Sequence, residues 1–392
     1  MLDHFKGKSV FVTGGSGFIG GRLVEILHRD AGAKVKALIN NPANGLRMAR
    51  YDIEFVFDDM TDLEAMERLI KGCDYVFHCA FGSAGSPEEQ RRITVDGTRA
   101  VGAAAVSGGV SRLVNLSTAA VYGETPDGIV DESYPHKSDG WHYGEIKLEA
   151  ENVLQELGQN SDLPFTTLQL VGVYGPWGNY FTITPLKQLA TSRLVLVNDG
   201  SGIANATYVD DVIQAMMLAA IKPKAIGETF LIKGAGTVTR RMFAEAYASM
   251  LGAHDALISM TPDEIKRAAR NERRKQARRT IPSALNALRL DQSFRKAFAN
   301  SPANNIPKRL PESIKAKLKG SGVPSQNKAR EESTSPEKPI IYPLDMMIPR
   351  LAAKTDFSIE KARYLLGYEP HYDLEKGMAL TKVWAEWARL IP

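Results

Sequence analysis

Tyr143 and Lys147, four apart in Tyr143-Gly144-Glu145-Ile146-Lys147, form the first pair in this sequence able to do acid–base chemistry. On a helix that spacing puts the phenol and the ammonium on one face. A neighbouring cation stabilises phenolate and lowers a tyrosine's pKa towards working pH, which suits a proton shuttle. The same spacing also describes an ordinary surface Tyr–Lys pair. Upstream, Asn115-Leu116-Ser117-Thr118-Ala119-Ala120-Val121-Tyr122-Gly123 reads as a strand running into a turn. A Ser or Thr hydroxyl there can hydrogen-bond a substrate's reacting oxygen beside the tyrosine.

A second chemistry, anion binding, is written near the start. Thr13-Gly14-Gly15-Ser16-Gly17-Phe18-Ile19-Gly20 sits between a strand and a helix. The glycines allow a tight turn and close backbone approach, and the helix N-terminus offers free N–H groups to a pyrophosphate. Dinucleotide binding follows from motif and context together. A carboxylate about twenty residues on would bind the adenosine ribose of NAD. The second strand ends instead at Ile39-Asn40-Asn41, with Arg47 and Arg50 beyond it. Either arginine could meet a 2′-phosphate or simply be solvated, so NAD and NADP both stay open, leaning to NADP.

The elements that must position these groups alternate regularly. Apolar runs at 9–13, 34–39, 54–57, 74–78 and 112–116 read as buried strands, with helices predicted at 20–29, 63–71 and 91–107. That alternation implies a parallel sheet covered by helices on both faces. The texture changes after the strand at 166–171. Of 392 residues, the stretch 261–340 holds 19 Lys+Arg against 8 Asp+Glu, a balance of +11. The total charge is +4, so the remainder carries −7. One strongly basic segment on a mildly acidic body differs from a uniformly basic protein. Two cysteines, Cys73 and Cys79, are too few for a disulfide framework, and no Cys/His array suggests a metal site. There is no apolar run of 18 residues and no signal-peptide-like start, so the expectation is a cytoplasmic protein.

In combination these motifs resemble the extended short-chain dehydrogenases/reductases, which include NAD(P)-dependent sugar-nucleotide epimerases, dehydratases and reductases. Further landmarks are Asp58-Asp59-Met60-Thr61-Asp62, His78-Cys79-Ala80, Val173-Tyr174-Gly175-Pro176, Tyr208-Val209-Asp210-Asp211 and Leu365-Leu366-Gly367-Tyr368-Glu369-Pro370. The resemblance implies an α/β fold: a doubly wound parallel sheet of Rossmann type, a smaller discontinuous C-terminal substrate domain, and a basic insertion. The dinucleotide-binding domain would span 1–175 with 205–235. The substrate domain would span 176–204 and 236–392, with the insertion at about 261–343. The implied catalytic set is Thr118, Tyr143 as general acid/base, and Lys147, which would hold the nicotinamide ribose and depress the tyrosine pKa. Implied cofactor contacts are Gly14, Ser16, Gly17, Phe18, Ile19, Gly20, Asn40, Asp59, Met60 and Ala80, with Tyr143 and Lys147. A homodimer is expected on the same ground.

Departures from the family pattern narrow the chemistry. Ala119 and Ala120 stand where family dehydratases carry the Asp-Glu pair that performs elimination, which argues against a 4,6-dehydratase. Thr94 replaces the family's Asn, and Gln169 and Gly172 replace an Arg and an Asn of the LRxxNVYGP segment. Residues 199–207 lack the arginine that usually grips a substrate diphosphate. Lys187 or Arg193 could replace it, though solvated charges are the plainer reading. Asp210-Asp211 read best as a helix cap, and His78 as a packed residue. Trp177, Tyr180 and Phe181 could stack on a planar ligand or pack in a core. The leading expectation is an NAD(P)-dependent oxidoreductase or epimerase of a sugar or sugar-nucleotide alcohol. The alternatives are a reductase or dehydrogenase of a steroid- or flavonoid-like hydroxy compound, and a silent NAD(P)-binding scaffold. The partner is then a small molecule. The basic insertion is expected to be solvated or a subunit contact, with an anionic membrane or acidic partner next. Nucleic acid is not expected, for want of aromatic residues among the cations.

Overall fold

The computed structural model describes residues 1–274 and 338–392. By contacts the chain forms two units, Met1–Met260 with Pro339–Pro392, and Thr261–Lys338. In the first unit, β1 (Ser9–Thr13), α1 (Phe18–Arg29), β2 (Lys34–Leu38), β3 (Glu54–Val56), α2 (Leu63–Ile70) and β4 (Tyr75–His78) alternate as expected. A short α3 (Pro87–Arg91) passes through a π-helical turn, Arg92–Asp96, into α4 (Gly97–Ser107). Then follow β5 (Arg112–Thr118), β6 (Gly128–Val130), α5 (His142–Ser161), β7 (Phe165–Leu170) and β8 (Val173–Tyr174).

Seven strands, including β11 (Thr229–Ile232), form one sheet in the order β11-β7-β5-β4-β1-β2-β3, with every pairing parallel. The alternating side chains of each strand explain the two covered faces. Phe11, Val76, Leu113 and Phe165 join Met66, Leu69, Val101 and Leu154 in a core under α2, α4 and α5. Val10, Val12, Phe77, Val114 and Leu168 join Leu23, Val24, Leu27, Val212 and Met216 on the opposite face, under α1 and α7 (Val209–Ile221). Each such burial is worth about 1.5–3 kcal/mol. Strand order reverses between β1 and β4, so a crevice opens at their carboxyl ends.

The rest of this unit comprises α6 (Thr184–Thr191), β9 (Arg193–Val197), β10 (Thr207–Tyr208), α8 (Arg240–Leu251), β12 (Leu257–Met260) and β13 (Ile340–Ile341). It ends with α9 (Ile348–Ala352), β14 (Thr355–Phe357), α10 (Glu360–Leu366) and α11 (Leu374–Trp387). Leu186, Leu189, Tyr247, Ala248, Met378 and Ala385 meet Tyr174 and Tyr208 in a third core. The last helix therefore docks on this core, although Trp387 itself is 71% exposed. Three small parallel sheets, β12-β9-β13, β10-β8 and β14-β6, complete the unit.

In the second unit a helix is described over 262–274, on which Ile265 and Ala269 are buried. Most of the basic insertion, 275–337, lies outside the described residues. No helix among the described residues is long and apolar enough to cross a membrane.

Candidate active site

The turn between β1 and α1 is built for close approach. Gly14 has φ +63°, and a Cβ there would stand 2.9 Å from Ala80 N and 3.0 Å from Cys79 C. A Cβ on Gly20 would lie 2.3 Å from Gly14 O. The N-cap, Gly17, supplies no side-chain cap, and the first turn of α1 carries no acid. An uncapped helix start with its positive dipole end fits a pyrophosphate, so Gly14, Ser16, Gly17, Phe18, Ile19 and Gly20 could hold one.

His78, at the end of β4, fixes the other wall of this turn. Thr98 Oγ1 donates to Thr94 O at 2.6 Å and so accepts from His78 Nε2 at 3.0 Å. That leaves His78 Nδ1 to accept from Thr13 Oγ1 at 2.8 Å. The same Thr13 oxygen accepts from the N–H groups of Cys79 and Ala80 at 3.1 and 3.2 Å. Burial, aided by the Lys147 charge, holds the imidazole down to about 3. It is a neutral structural strut. Burial likewise pushes the Cys79 thiol up to about 12, which makes it a poor nucleophile.

Thr118 ends β5, and Tyr143 and Lys147 lie on the first turns of α5. The strand and the helix thus bring together side chains 25–29 positions apart. The Thr118 hydroxyl lies near enough to Tyr143 to oppose the rise in its pKa and accepts from Ala120 N at 3.2 Å. The Tyr143 ring stands between Phe81 and Trp141, at centroid distances of 5.6 and 5.4 Å. Lys147 is buried and donates one of its three hydrogens to Leu116 O at 2.6 Å. The Tyr143 pKa departs from expectation: burial raises it, and only the nearby Thr118 hydroxyl opposes the rise. Burial also lowers Lys147 to about 8, partly offset by attraction to Glu151 and Cys79.

Sequence reading missed Glu151, one further turn along the same face of α5, although the i, i+4 spacing that found Lys147 also reaches it. Glu151 is buried, and desolvation pushes its carboxyl up to about 7 against the pull of its hydrogen bonds and of Lys147. Gln169 donates to both carboxylate oxygens at 3.2 and 3.0 Å, and its own oxygen accepts from Tyr122 OH at 2.6 Å. The Gln that replaces the family's Arg thus supplies hydrogen bonds but no charge. Thr94, in place of the family's Asn, accepts from Gly82 N at 2.9 Å.

The other expected residues divide. Asn40 is exposed at the end of β2 and accepts from Asn44 Nδ2 at 3.0 Å. Asp59 is exposed in its loop, where hydrogen bonds from Thr61 and the nearby Arg92 hold its pKa low against desolvation. Met60 turns inward: it is 7% exposed and packs against Gly97, so its side chain shapes the loop from beneath. Arg47 is not free for a phosphate. It pairs with Glu25 at 3.2 Å, both side chains 14% exposed, and lies 5.3 Å over the Trp177 ring. Arg50 stays exposed and donates to Tyr51 OH at 2.9 Å.

Asp210 and Asp211 are structural, but not as a cap, because the N-cap of α7 is Tyr208. Asp210 grips Arg22 of α1 through two hydrogen bonds of 2.7 and 2.8 Å. Asp211 accepts from the N–H groups of His371 and Tyr372 at 2.7 and 3.2 Å, and burial pushes it up to about 6. Among the described residues no group of His, Cys, Asp or Glu is placed to hold a metal ion. Trp177 packs on Trp384 and Trp387 of α11, at 5.7 and 6.1 Å, and Phe181 joins the third core. Tyr180 stays 65% exposed, and Lys187 is exposed on α6.

The glycine turn opens at the switch point of a parallel sheet, where dinucleotides bind, and Thr118, Tyr143 and Lys147 come together on β5 and α5. The sequence model of the NAD dependent epimerase/dehydratase family matches residues 10–232. The chain belongs to that family and so to the extended short-chain dehydrogenases/reductases. A ketoreductase of Stigmatella aurantiaca, acting on a farnesylated 3,4-dihydroquinoline-1-oxide, is 29% identical over 281 residues, covering 70% of this chain and 82% of that protein. Cinnamoyl-CoA reductase 1 of Arabidopsis thaliana is 31% identical over 256 residues, covering 58% and 71%. Among solved structures, epimerase Mth375 of Methanothermobacter thermautotrophicus superimposes with a TM-score of 0.67 at 21% identity, covering 99% of this chain and 96% of that one. That likeness speaks for the fold alone.

Proposed function

We propose that this protein is a net NAD(P)-dependent reductase or dehydrogenase of a keto or hydroxy compound that is not a nucleotide sugar. The observation that carries the reading is the Thr118–Tyr143–Lys147 cluster with only Ala119 and Ala120 beside it. Proton transfer to an oxygen is provided for; elimination, which needs an acid and a base at the neighbouring carbon, is not. Residues 199–207 themselves bring no cation for a diphosphate, and the sequence relatives described above include a ketoreductase.

In this reading the first turn of α1 binds the pyrophosphate, and Asn40 and Asp59 border the adenosine. When bound, the reduced nicotinamide supplies the hydride that a carbonyl carbon accepts. Thr118 donates a hydrogen bond to the carbonyl oxygen and Tyr143 delivers the proton to it. Lys147, with two donors left over, orients the nicotinamide ribose. Phe81 and Trp141 keep water from the phenol. Either dinucleotide remains compatible, and with Arg47 committed to Glu25 the lean to NADP rests on Arg50 alone.

The test is an absorbance assay in the reduced-nicotinamide band with aryl and alicyclic ketones, CoA esters and nucleotide sugars. Net oxidation of NADH or NADPH with a non-nucleotide carbonyl is the expected result. Conversion of a nucleotide sugar with no net absorbance change would make the protein an epimerase and refute the reading.

A further inference from the structure

Most buried cations of the first unit are compensated. Arg22 pairs with Asp210, Arg47 with Glu25, Lys233 with Asp356, and Arg350 with Asp139. Arg112 has no acid and its Nε is likewise without a partner, but its guanidinium donates to Thr166 Oγ1 and to the carbonyls of Ala219 and Lys222 at the end of α7. Lys147 donates to Leu116 O and is drawn to Glu151. Arg240 is the least compensated. Its Nη2 donates to Arg350 O at 3.1 Å, its Nε is buried without a partner, and no carboxylate among the described residues pairs with it. Burial pushes it down to about 10, with the Tyr180 phenol the only opposing influence. A half-buried cation without an acid is costly to keep, and strongly perturbed groups cluster at ligand sites.

Its position fits a ligand contact. Ile203 pairs with Thr239, Ala204 N donates to Val238 O at 2.8 Å, and Arg240 N donates to Gly202 O at 2.8 Å. Arg240 thus enters from α8 beside the cation-free segment 199–207. From it, contacts run to the acid–base group: the guanidinium to Arg350 O, the Arg350 guanidinium to the Trp141 ring at 4.7 Å, and that ring to Tyr143 at 5.4 Å. The exposed Tyr180 phenol is near enough to Arg240 to raise its pKa.

We infer that Arg240 is the substrate's anion anchor, and that the keto or hydroxy compound turned over here carries a single oxyanion group, a carboxylate or a phosphate monoester, which one guanidinium can hold, rather than a diphosphate. This rests on the reading of the cleft as a hydride-transfer site. A guanidinium presents paired N–H donors that match either group, and the unpartnered Nε gains its bond only when the anion arrives.

The test uses the enzyme saturated with NADH, so that the pyrophosphate turn is filled. Thermal midpoints are followed against phosphate, pyrophosphate, acetate and benzoate at constant ionic strength, for the parent, Arg240→Met and Arg240→Lys. NADH binding, measured in the same samples, reports the cofactor reading separately. The parent midpoint should rise saturably with one anion class, which also tells carboxylate from phosphate. In Arg240→Met the anion Kd should rise at least tenfold, while the ligand-free variant melts no lower than the parent because an uncompensated charge is gone. Arg240→Lys should keep part of the response. An equal response in Arg240→Met, or no response to any of the four anions in the parent, would overturn the inference.

Discussion

Replacing Gly14 with alanine tests how the cofactor turn works. Its φ of +63° is costly for any residue with a Cβ, about 1–2 kcal/mol. The new Cβ would also sit 2.9–3.0 Å from backbone atoms of Cys79 and Ala80, too close for either side to stay put. Neither neighbour yields easily, because the Thr13 hydroxyl holds both N–H groups and is itself tied to His78. The turn therefore opens, carrying the first N–H groups of α1 away from the anion. Binding must then restore the strained turn, and it loses at least one charge-assisted hydrogen bond worth roughly 1.5–3 kcal/mol. Together these give about 2.5–5 kcal/mol, or roughly a 70- to 5,000-fold weaker dinucleotide complex. Fluorescence or calorimetric titration with NADH and NADPH reads the change, with far-UV circular dichroism to confirm the fold. A folded Gly14→Ala protein whose Kd lies within threefold of the parent would refute the close-approach argument.

Further consequences can be checked separately. His78 is neutral in the fold and protonates near pH 6.5 when unfolded, so its contribution is present above pH 6.5 and is lost as pH falls towards 3. Between pH 6.5 and 5 that is about 2 kcal/mol, and urea midpoints should show the parent losing this much more than His78→Asn; parallel curves would contradict it. Lys147→Met removes donors from the ribose side and should weaken NADH binding roughly 10- to 150-fold, on the scale of a charge-assisted hydrogen bond; unchanged binding in calorimetry would remove Lys147 from the cofactor site. Arg50→Ala should lower the ratio of NADPH to NADH affinity, whereas Arg47→Ala should mainly lower the melting temperature by unpairing Glu25. The reverse pattern would restore Arg47 as the phosphate ligand.

What the sequence made legible was local. The glycine turn and the Tyr143/Lys147 pair declare themselves because backbone geometry and helical spacing act over a few residues. The strands declare themselves because a sheet covered on both faces needs unbroken apolar runs. Partners chosen across the fold leave no such trace. Arg47 looked free because Glu25, its counter-charge, sits on α1, and Asp210 looked like a cap because Arg22 is 188 positions away. Gln169 was visible as a departure, but its role in holding Glu151 appears only when β7 is laid beside α5. Arg240 drew no notice at all, since nothing in a sequence marks a cation that lacks an acid.

The proposed role of Tyr143 is to move the proton in hydride transfer. It is tested most directly by comparing the parent and Tyr143→Phe for net oxidation of reduced nicotinamide with a carbonyl substrate, alongside NADH titration of both proteins. Turnover should fall by about 10²–10⁴-fold, the usual contribution of a positioned general acid, while the NADH Kd stays within threefold. Turnover by Tyr143→Phe at the parent's rate would contradict it.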